Sequence, residues 1–191
     1  LGFVTFINPQ PYKGLTLFIR LADMARQQLP EVTFLAVEGR IRRERLRQKG
    51  MTVGSEPNVW WLPNQDDIRR VYERTALLLC PSFCAEASGR VIAEAQLSGI
   101  PVLAANRGGI AEQLNGGGYL FDIPKRCTGN YSLIPTEAET RPWLETIRAL
   151  LEDDAAYAEA SAAALKAAAP FSYAQGREAV AAFFKPLVTA G

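Results

Sequence analysis

Residues 76–105 read ALLLCPSFCAEASGRVIAEAQLSGIPVLAA, which is an apolar run, a loop, a helical pattern and a second apolar run. Both apolar runs are continuous and do not alternate, as is typical of strands that are buried on both faces of a parallel sheet. Gly99 and Pro101 end the helical pattern, and Ser88 is predicted to be its N-cap residue. The stretch therefore predicts one β-α-β unit of an α/β domain.

The same alternation extends over most of the chain. Candidate strands lie at 3–7, 32–37, 58–63, 76–82, 101–105 and 118–123. Helical patterns follow the first five of them, near 14–29, at 40–50, at 66–75, after Ser88 and near 109–114. Helices alone are predicted near 137–152, 154–169 and 173–188. The pattern predicts one α/β domain over residues 1–191, with a Rossmann-like, doubly wound parallel sheet of about six strands, helices on both faces and a helical C-terminal tail. Right-handed crossovers would bring the carboxyl ends of the strands to one edge, where ligands bind.

Composition narrows the class of protein. Of the 191 residues, 48% are hydrophobic and 21% are charged, and the net charge of +1 gives no reason to expect a nucleic-acid partner. No apolar run approaches the roughly 20 residues of a membrane helix, and no signal peptide is visible. Because the sequence begins at Leu1 in an apolar run, we expect it to be cut from a longer polypeptide.

Cysteine and histidine usage limits the chemistry. The three cysteines, Cys80, Cys84 and Cys127, show no C-x-x-C spacing, so free thiols in a reducing cytoplasm are expected. The chain contains no histidine, which excludes His-based zinc sites and Ser-His-Asp triads from within it.

Two glutamates flank the start of the central helix. Glu86 lies in the loop and Glu94 in the helix, about 9 Å along the axis beyond Ser88. The bare amides of the first turn favour an anion, and Gly89 lets that anion approach closely. The two acids are too far apart to flank one scissile bond at ~5 Å. They suit an elongated ligand with an anionic middle and hydroxyls at both ends, such as a nucleotide sugar.

The residues that carry these features form an ordered set of motifs. P-S, E-x7-E, G-x-P-V and G-G-x-x-E occur in that order, at Pro81-Ser82, Glu86 and Glu94, Gly99 to Val102, and Gly108-Gly109 with Glu112. The segment resembles the donor-binding part of retaining glycosyltransferases of the GT-B fold, in the group called glycosyltransferase family 4 or group 1. The early NPQPYKG and the late FSYAQGREAVAAFF also resemble that family. The resemblance covers nearly the whole chain, which would be the C-terminal half of such an enzyme without its N-terminal acceptor domain.

The resemblance implies a role for each matching residue. Glu86, as the catalytic residue, would hold hydroxyls of the donor sugar near the reacting carbon, and Glu94 would accept the ribose hydroxyls. The diphosphate would contact the ammonium of one lysine and the amides at the helix start, and the base would contact the loop after the third strand. Gly108 and Gly109, at the start of a second helix, would allow the donor to approach the backbone closely. The implied donor-binding residues besides Glu94 are Lys13, Leu62, Pro63, Ser88, Gly89, Arg90, Gly108 and Gly109.

Some positions depart from the family or have simpler explanations. Relatives commonly carry an arginine where this chain has Asn8, which leaves the phosphate site one cation short. Glu86 could be a solvated loop acid, Glu94 a member of a buried salt bridge and Lys13 a surface lysine. Arg90 could pair only locally.

The expected activity is transfer of a hexose-type sugar from a nucleoside diphosphate to a hydroxyl acceptor, a glycan, lipid or small molecule, with retention of configuration. No cofactor and no metal are expected, since no Asp-x-Asp motif is present. The alternatives are a non-catalytic nucleotide-binding or regulatory domain and, less favoured, a sugar-nucleotide epimerase. The expected location is cytoplasmic. The basic segment 40–49 is interpreted as a solvated helix face, with attraction to anionic lipid at the inner face of the membrane as the alternative.

Overall fold

The computed structural model of the chain describes residues 2–189, with side chains described over residues 2–185. Within residues 2–189, six parallel strands form one sheet in the spatial order third, second, first, fourth, fifth, sixth. The strands are β1 (Phe3–Ile7), β2 (Phe34–Val37), β3 (Val59–Leu62), β4 (Thr75–Cys80), β5 (Val102–Ala105) and β6 (Gly118–Phe121). The doubly wound parallel sheet predicted from the alternating pattern is confirmed.

Helices connect the strands and extend the chain beyond the sheet. They are α1 (Leu15–Gln28), α2 (Arg43–Gln48), α3 (Arg69–Tyr72), α4 (Arg90–Leu97), α5 (Ile110–Leu114), α6 (Lys125–Gly129), α7 (Glu137–Glu152), α8 (Asp154–Ala168) and α9 (Tyr173–Thr189). Two 3₁₀ turns lie at Pro11–Lys13 and Ala169–Phe171. The three C-terminal helices predicted from the sequence are confirmed.

Each face of the sheet is covered by a different set of helices, as the continuous apolar runs require. On one face, Leu77 and Leu79 pack in the same cluster as Phe18 of α1 and Trp143 of α7. On the other face, Leu78 and Cys80 pack with residues of α4 and α5, including Ile92 and Ile110. The strand β4, in the middle of the sheet, is buried at every position.

The short connections differ from the sequence-based prediction. The pattern over residues 40–50 becomes a helix only from Arg43, because the chain before it is extended and the Glu38 carboxylate accepts the Arg43 amide at 3.0 Å. The pattern over residues 66–75 yields only the four residues of α3, because β4 begins at Thr75. The helix α6 was not predicted, since KRCTG is too short to show a period.

Candidate functional site

The candidate site lies where the order of the strands reverses, between the carboxyl ends of β1 and β4. After β1 the chain makes a 3₁₀ turn that ends at Gly14, whose φ is +88°. A Cβ at Gly14 would lie 1.9 Å from the Pro81 carbonyl oxygen. The Tyr12 carbonyl also accepts the amides of Phe83 and Cys84, at 3.0 and 3.1 Å. The two loops therefore contact each other at a separation that only glycine permits.

Three donors converge on one oxygen of Glu86. Lys13 Nζ lies 2.5 Å from Glu86 Oε1, and Ser82 Oγ donates to the same oxygen at 2.6 Å. The thiol of Cys84 lies 3.8 Å from it. Within residues 2–185, Glu86 Oε2 has no hydrogen-bond partner, although the side chain is only 13% exposed. The arrangement fixes the carboxylate by one oxygen and leaves the other for a ligand.

The glycines of the G-G motif pack against the Glu86 loop. Glu86 and Gly108 form an isolated parallel bridge, and the Gly109 amide donates to the Glu86 carbonyl at 2.8 Å. A Cβ at Gly108 would lie 2.3 Å from the Glu86 carbonyl oxygen, and one at Gly109 would lie 2.2 Å from that of Ala87. The close approach that these glycines allow is therefore an approach of two loops. Their contact with a ligand stays a prediction.

The start of α4 differs from the prediction in its N-cap. Gly89, with φ of +76°, occupies that position, and the exposed Ser88 lies one residue outside the helix without a capping bond. The prediction of Ser88 as N-cap is wrong because the left-handed turn at Gly89 takes the serine away from the first turn. In residues 2–189, the amides of Gly89, Arg90 and Val91 have no acceptor, whereas the Ile92 amide bonds to the Gly89 carbonyl at 2.8 Å. Three donors at the positive end of the helix dipole are thus available to an anion.

Glu94 is held by partners on both of its oxygens. The Tyr72 hydroxyl donates to Oε2 at 2.8 Å, and Arg90 Nε lies 3.2 Å from Oε1. The Glu94 side chain is 34% exposed and that of Arg90 is 90% exposed. A partner for Glu94 was expected from its apolar surroundings, and the local pairing of Arg90 is the simpler alternative considered for that residue. Because Arg90 is so exposed, its bond to Glu94 is weak and exchangeable.

Leu62 and Pro63 lie apart from the other predicted site residues, at the end of the edge strand β3. The Leu62 carbonyl accepts the Glu38 amide at 2.8 Å, and Pro63 is exposed. The strand β3 is two strands from β1, which corresponds to about 10 Å across the sheet. The predicted residues thus fall into a central group around Lys13 and Glu86 and a peripheral group at β3.

Sequence reasoning missed two polar side chains that support the glutamates. Ser82 is 1% exposed and was noted only as a letter of the P-S motif. Tyr72 belongs to the helical pattern predicted over residues 66–75, and no signal in the sequence pairs it with Glu94 across 22 residues. Burial raises the pKa of Tyr72 above its ordinary value, and its hydrogen bond to Glu94 acts in the same direction. The hydroxyl therefore remains a donor at neutral and moderately alkaline pH.

The thiols near the site are poor nucleophiles. Burial, followed by the nearby charge of Glu86, raises the pKa of Cys80 to about 12. The same two causes raise the pKa of Cys84. Both side chains stay as neutral thiols at pH 7. Among the described side chains no group of three or more acids and cysteines could hold a metal ion, and among the described helices none is long and apolar enough to cross a membrane.

Comparisons with known proteins identify the family of the chain. Residues 1–153 match the family model described as "Glycosyl transferases group 1". The chain is 29% identical over 180 residues to a D-inositol 3-phosphate glycosyltransferase of Rhodococcus opacus, covering 89% of this chain and 37% of that protein. It is 30% identical over 177 residues to the protein of the same name in Rhodococcus jostii, covering 78% of this chain and 39% of that one. The chain thus spans less than half the length of these relatives.

A solved structure has the same fold. The crystal structure of Anabaena HepE in complex with UDP-glucose matches with a TM-score of 0.64 and 28% identity, covering 87% of this chain and 44% of that one. The match, over about half of the solved chain, corresponds to one half of a GT-B glycosyltransferase.

Proposed function

The chain belongs to the group 1 glycosyl transferases. We propose that it is the donor-binding domain of an enzyme that transfers a hexose-type sugar from a nucleoside diphosphate to a hydroxyl acceptor, with retention of configuration. The observation that carries the proposal is the ion pair of Lys13 with Glu86, in the loop that leads three residues later to the unpaired amides at the start of α4. The bound UDP-glucose in the Anabaena relative supports a nucleotide sugar as the donor class.

In this proposal the ion pair between Lys13 and Glu86 opens when the donor binds. The ammonium would turn from the carboxylate to the diphosphate, whose other oxygens would face the amides of Gly89 and Arg90. Ser82, 1% exposed and 2.6 Å from Glu86 Oε1, would keep the carboxylate in place during this exchange. Glu86 Oε2 would then accept hydroxyls of the donor sugar.

The remaining predicted residues extend the donor site along the sheet edge. Glu94 would accept the ribose hydroxyls after Arg90 moves away, and Tyr72 would hold the carboxylate meanwhile. The loop after Leu62 and Pro63 would face the base. Neutralisation of the leaving diphosphate by Lys13 and the start of α4 requires no metal, so we propose metal-independent transfer. A second domain, outside this chain, would bind the acceptor.

Calorimetric titration of the isolated chain with UDP, GDP and ADP tests the donor site. We expect at least one of the three to bind and no transfer by this chain alone. A folded sample that gives no heat with any of them contradicts the donor site, and turnover by the isolated chain contradicts the need for a second domain.

One observation favours a second candidate, a nucleotide-binding domain without transferase activity. Asn8 stands where relatives commonly have an arginine, and its left-handed backbone with φ of +58° accommodates asparagine better than arginine. Its Oδ1 accepts a bond from Gln10 at 2.7 Å and does not provide a cation. Sugar release from UDP-glucose or GDP-mannose by the full-length gene product separates the two, since only the transferase consumes its donor.

The location in the cell is part of the same proposal. The free cysteines Cys80, Cys84 and Cys127 support a reducing compartment, the cytoplasm. The basic segment 40–49 is exposed except at Leu46 and a few partly covered positions, and contact with anionic lipid at the inner membrane face remains the alternative to a plain solvated surface.

A further inference from the structure

Glu38 is a buried acid that the donor site described above does not use. It follows β2 directly, and the residue is 8% exposed. Its Oε1 accepts the Arg43 amide at 3.0 Å, and within residues 2–185 it forms no ion pair and accepts no other hydrogen bond. Its Oε2 is not among the buried polar atoms without a partner, so this oxygen can accept a donor from outside the protein.

Glu38 lines a cavity of about 570 Å³ at the carboxyl ends of β2 and β3. The cavity is open to solvent, and its wall includes Arg42, Arg43, Trp61 and Pro63. Two donors of this wall, Arg43 Nε and Trp61 Nε1, are buried and have no acceptor among the described residues. Because solvent does not reach these two donors, the polar atoms that the wall offers to a ligand include the Glu38 carboxylate and do not include Arg43 Nε or Trp61 Nε1.

The position of the cavity fits the base of a nucleotide. It lies between β2 and β3, whereas the diphosphate is placed between β1 and β4, so the two are about two strands, or about 10 Å, apart. Ribose bridges this distance in a nucleoside diphosphate.

We propose that this cavity selects guanine, so that the donor is a GDP-sugar. The inference rests on the proposed function, since it assumes a nucleoside diphosphate at Lys13. Guanine presents two adjacent donors, N1–H and the 2-amino group, next to the O6 acceptor. Glu38 would accept from the donor pair.

The other bases do not match this pattern. Uracil has one donor, N3–H, between two carbonyl oxygens that a carboxylate repels. Adenine has its 6-amino donor beside the N1 acceptor, and cytosine its 4-amino donor beside the N3 acceptor, so neither can offer two adjacent donors. Selection therefore follows from the negative charge and acceptor-only character of Glu38.

Binding by the unmodified chain gives the first test and requires no variant. Calorimetry with GDP, IDP, UDP and ADP should rank GDP first, at least about tenfold tighter than UDP. IDP lacks only the 2-amino group and should bind about three- to tenfold more weakly than GDP. UDP or ADP binding as tightly as GDP, or IDP equal to GDP, overturns the inference and leaves the proposed function intact. If none of the four binds, the proposed function fails and the inference fails with it.

A matched pair of variants gives the second test. Glu38→Gln keeps the shape of the side chain but replaces one acceptor with a donor, so GDP affinity should fall at least about tenfold while UDP affinity changes less than about threefold. Glu44→Gln removes the same charge from a side chain that is 61% exposed at the rim, and should leave the GDP-to-UDP ratio within about twofold. Equal losses for GDP and UDP in Glu38→Gln, in a sample whose thermal unfolding matches wild type, would mean that Glu38 only caps α2.

Discussion

The two carboxylates of the E-x7-E motif are held in opposite ways. Glu86 receives all of its bonds on Oε1, from Lys13 and Ser82 together with the thiol of Cys84, and is 13% exposed. Glu94 has one partner on each oxygen and is 34% exposed. The motif thus combines a carboxylate that has one oxygen without a partner and a carboxylate that has one partner on each oxygen.

Because their surroundings differ, we expect the two glutamates of the motif to serve different steps, sugar transfer and nucleotide binding. Ser82 and Lys13 come from loops that follow two different strands, so Glu86 is fixed by the tertiary fold. Glu94 takes one partner, Arg90, from its own helix at the i−4 position. We therefore expect changes at Glu86 to affect the reaction, and changes at Glu94 to affect nucleotide binding.

Of the substitutions at and around the two glutamates, Glu86→Gln should have the largest effect, which is on turnover. In the full-length protein, removing the charge that the proposed function places beside the reacting carbon should lower turnover by about 10²–10³-fold and change nucleoside diphosphate affinity little. Rates of sugar release and calorimetry on the same sample measure the two quantities. Glu159→Gln, an exposed position on α8, is the matched control. Turnover near wild type would assign Glu86 to the loop structure alone.

Glu94→Ala should show the converse behaviour. Loss of charge-assisted hydrogen bonds to the ribose should weaken nucleoside diphosphate binding by ~1.5–3 kcal/mol. The corresponding 2′,3′-dideoxynucleoside diphosphate should bind wild type and variant alike, because it lacks the hydroxyls. If Glu86→Ala and Glu94→Ala weaken free nucleotide equally, the division between the two acids is wrong.

Ser82→Ala should separate the sugar from the nucleotide. The buried hydroxyl donates to Glu86 Oε1 and also interacts with the Cys80 side chain, and neither partner is a proposed contact of the nucleotide. Its loss should therefore leave UDP and GDP binding unchanged and reduce the additional affinity for the matching nucleotide sugar by about 1 kcal/mol. Ser161→Ala removes a comparable bond, 2.6 Å to the Gly99 carbonyl, far from the site. If both variants reduce the additional affinity for the nucleotide sugar by similar amounts, Ser82 stabilises the fold and does not position Glu86 for the sugar.

Tyr72→Phe should give the smallest effect. The variant loses one bond to Glu94, and nucleotide affinity should fall by about 0.5–1 kcal/mol. Because the pKa of Tyr72 is raised, the hydroxyl stays protonated and this contribution should be constant between pH 7 and 10. Tyr157→Phe, whose hydroxyl donates to the Ala76 carbonyl at 3.0 Å, is the control. A loss of affinity in wild type near pH 10 that is absent from Tyr72→Phe would contradict the raised pKa.

Continuous apolar strands and their spacing were enough to predict the sheet, because burial on both faces leaves a strong and local signal in the sequence. The short connections were less predictable. The helix α3 has four residues, and its pattern overlaps the start of β4 at Thr75. The N-cap is Gly89, whose φ is left-handed, whereas the sequence favoured the neighbouring Ser88 because serine is a common N-cap residue.

Sequence motifs were enough to predict candidate residues for the site, but not which of these residues contact each other. The bond between Lys13 and Glu86 joins residues 73 apart in the chain, and nothing local indicates it. Tyr72 was missed because it lies in a segment whose pattern indicates only a helix, and Glu38 was missed because it lies between a predicted strand and a predicted helix, outside every motif. Their roles depend on which strands become neighbours, and that is fixed by the strand order of the whole sheet.

The proposed function requires that Lys13 and the start of α4 form a diphosphate site. Titration of wild type and Lys13→Ala with nucleoside, nucleoside monophosphate and nucleoside diphosphate tests this claim most directly. The ammonium acts in a cleft at 26% exposure, so its loss should weaken diphosphate binding by about 2 kcal/mol, monophosphate binding by less and nucleoside binding hardly at all. Lys166→Ala, an exposed lysine on α8, should change none of the three. A Lys13→Ala chain that binds all three ligands as wild type does would contradict the claim.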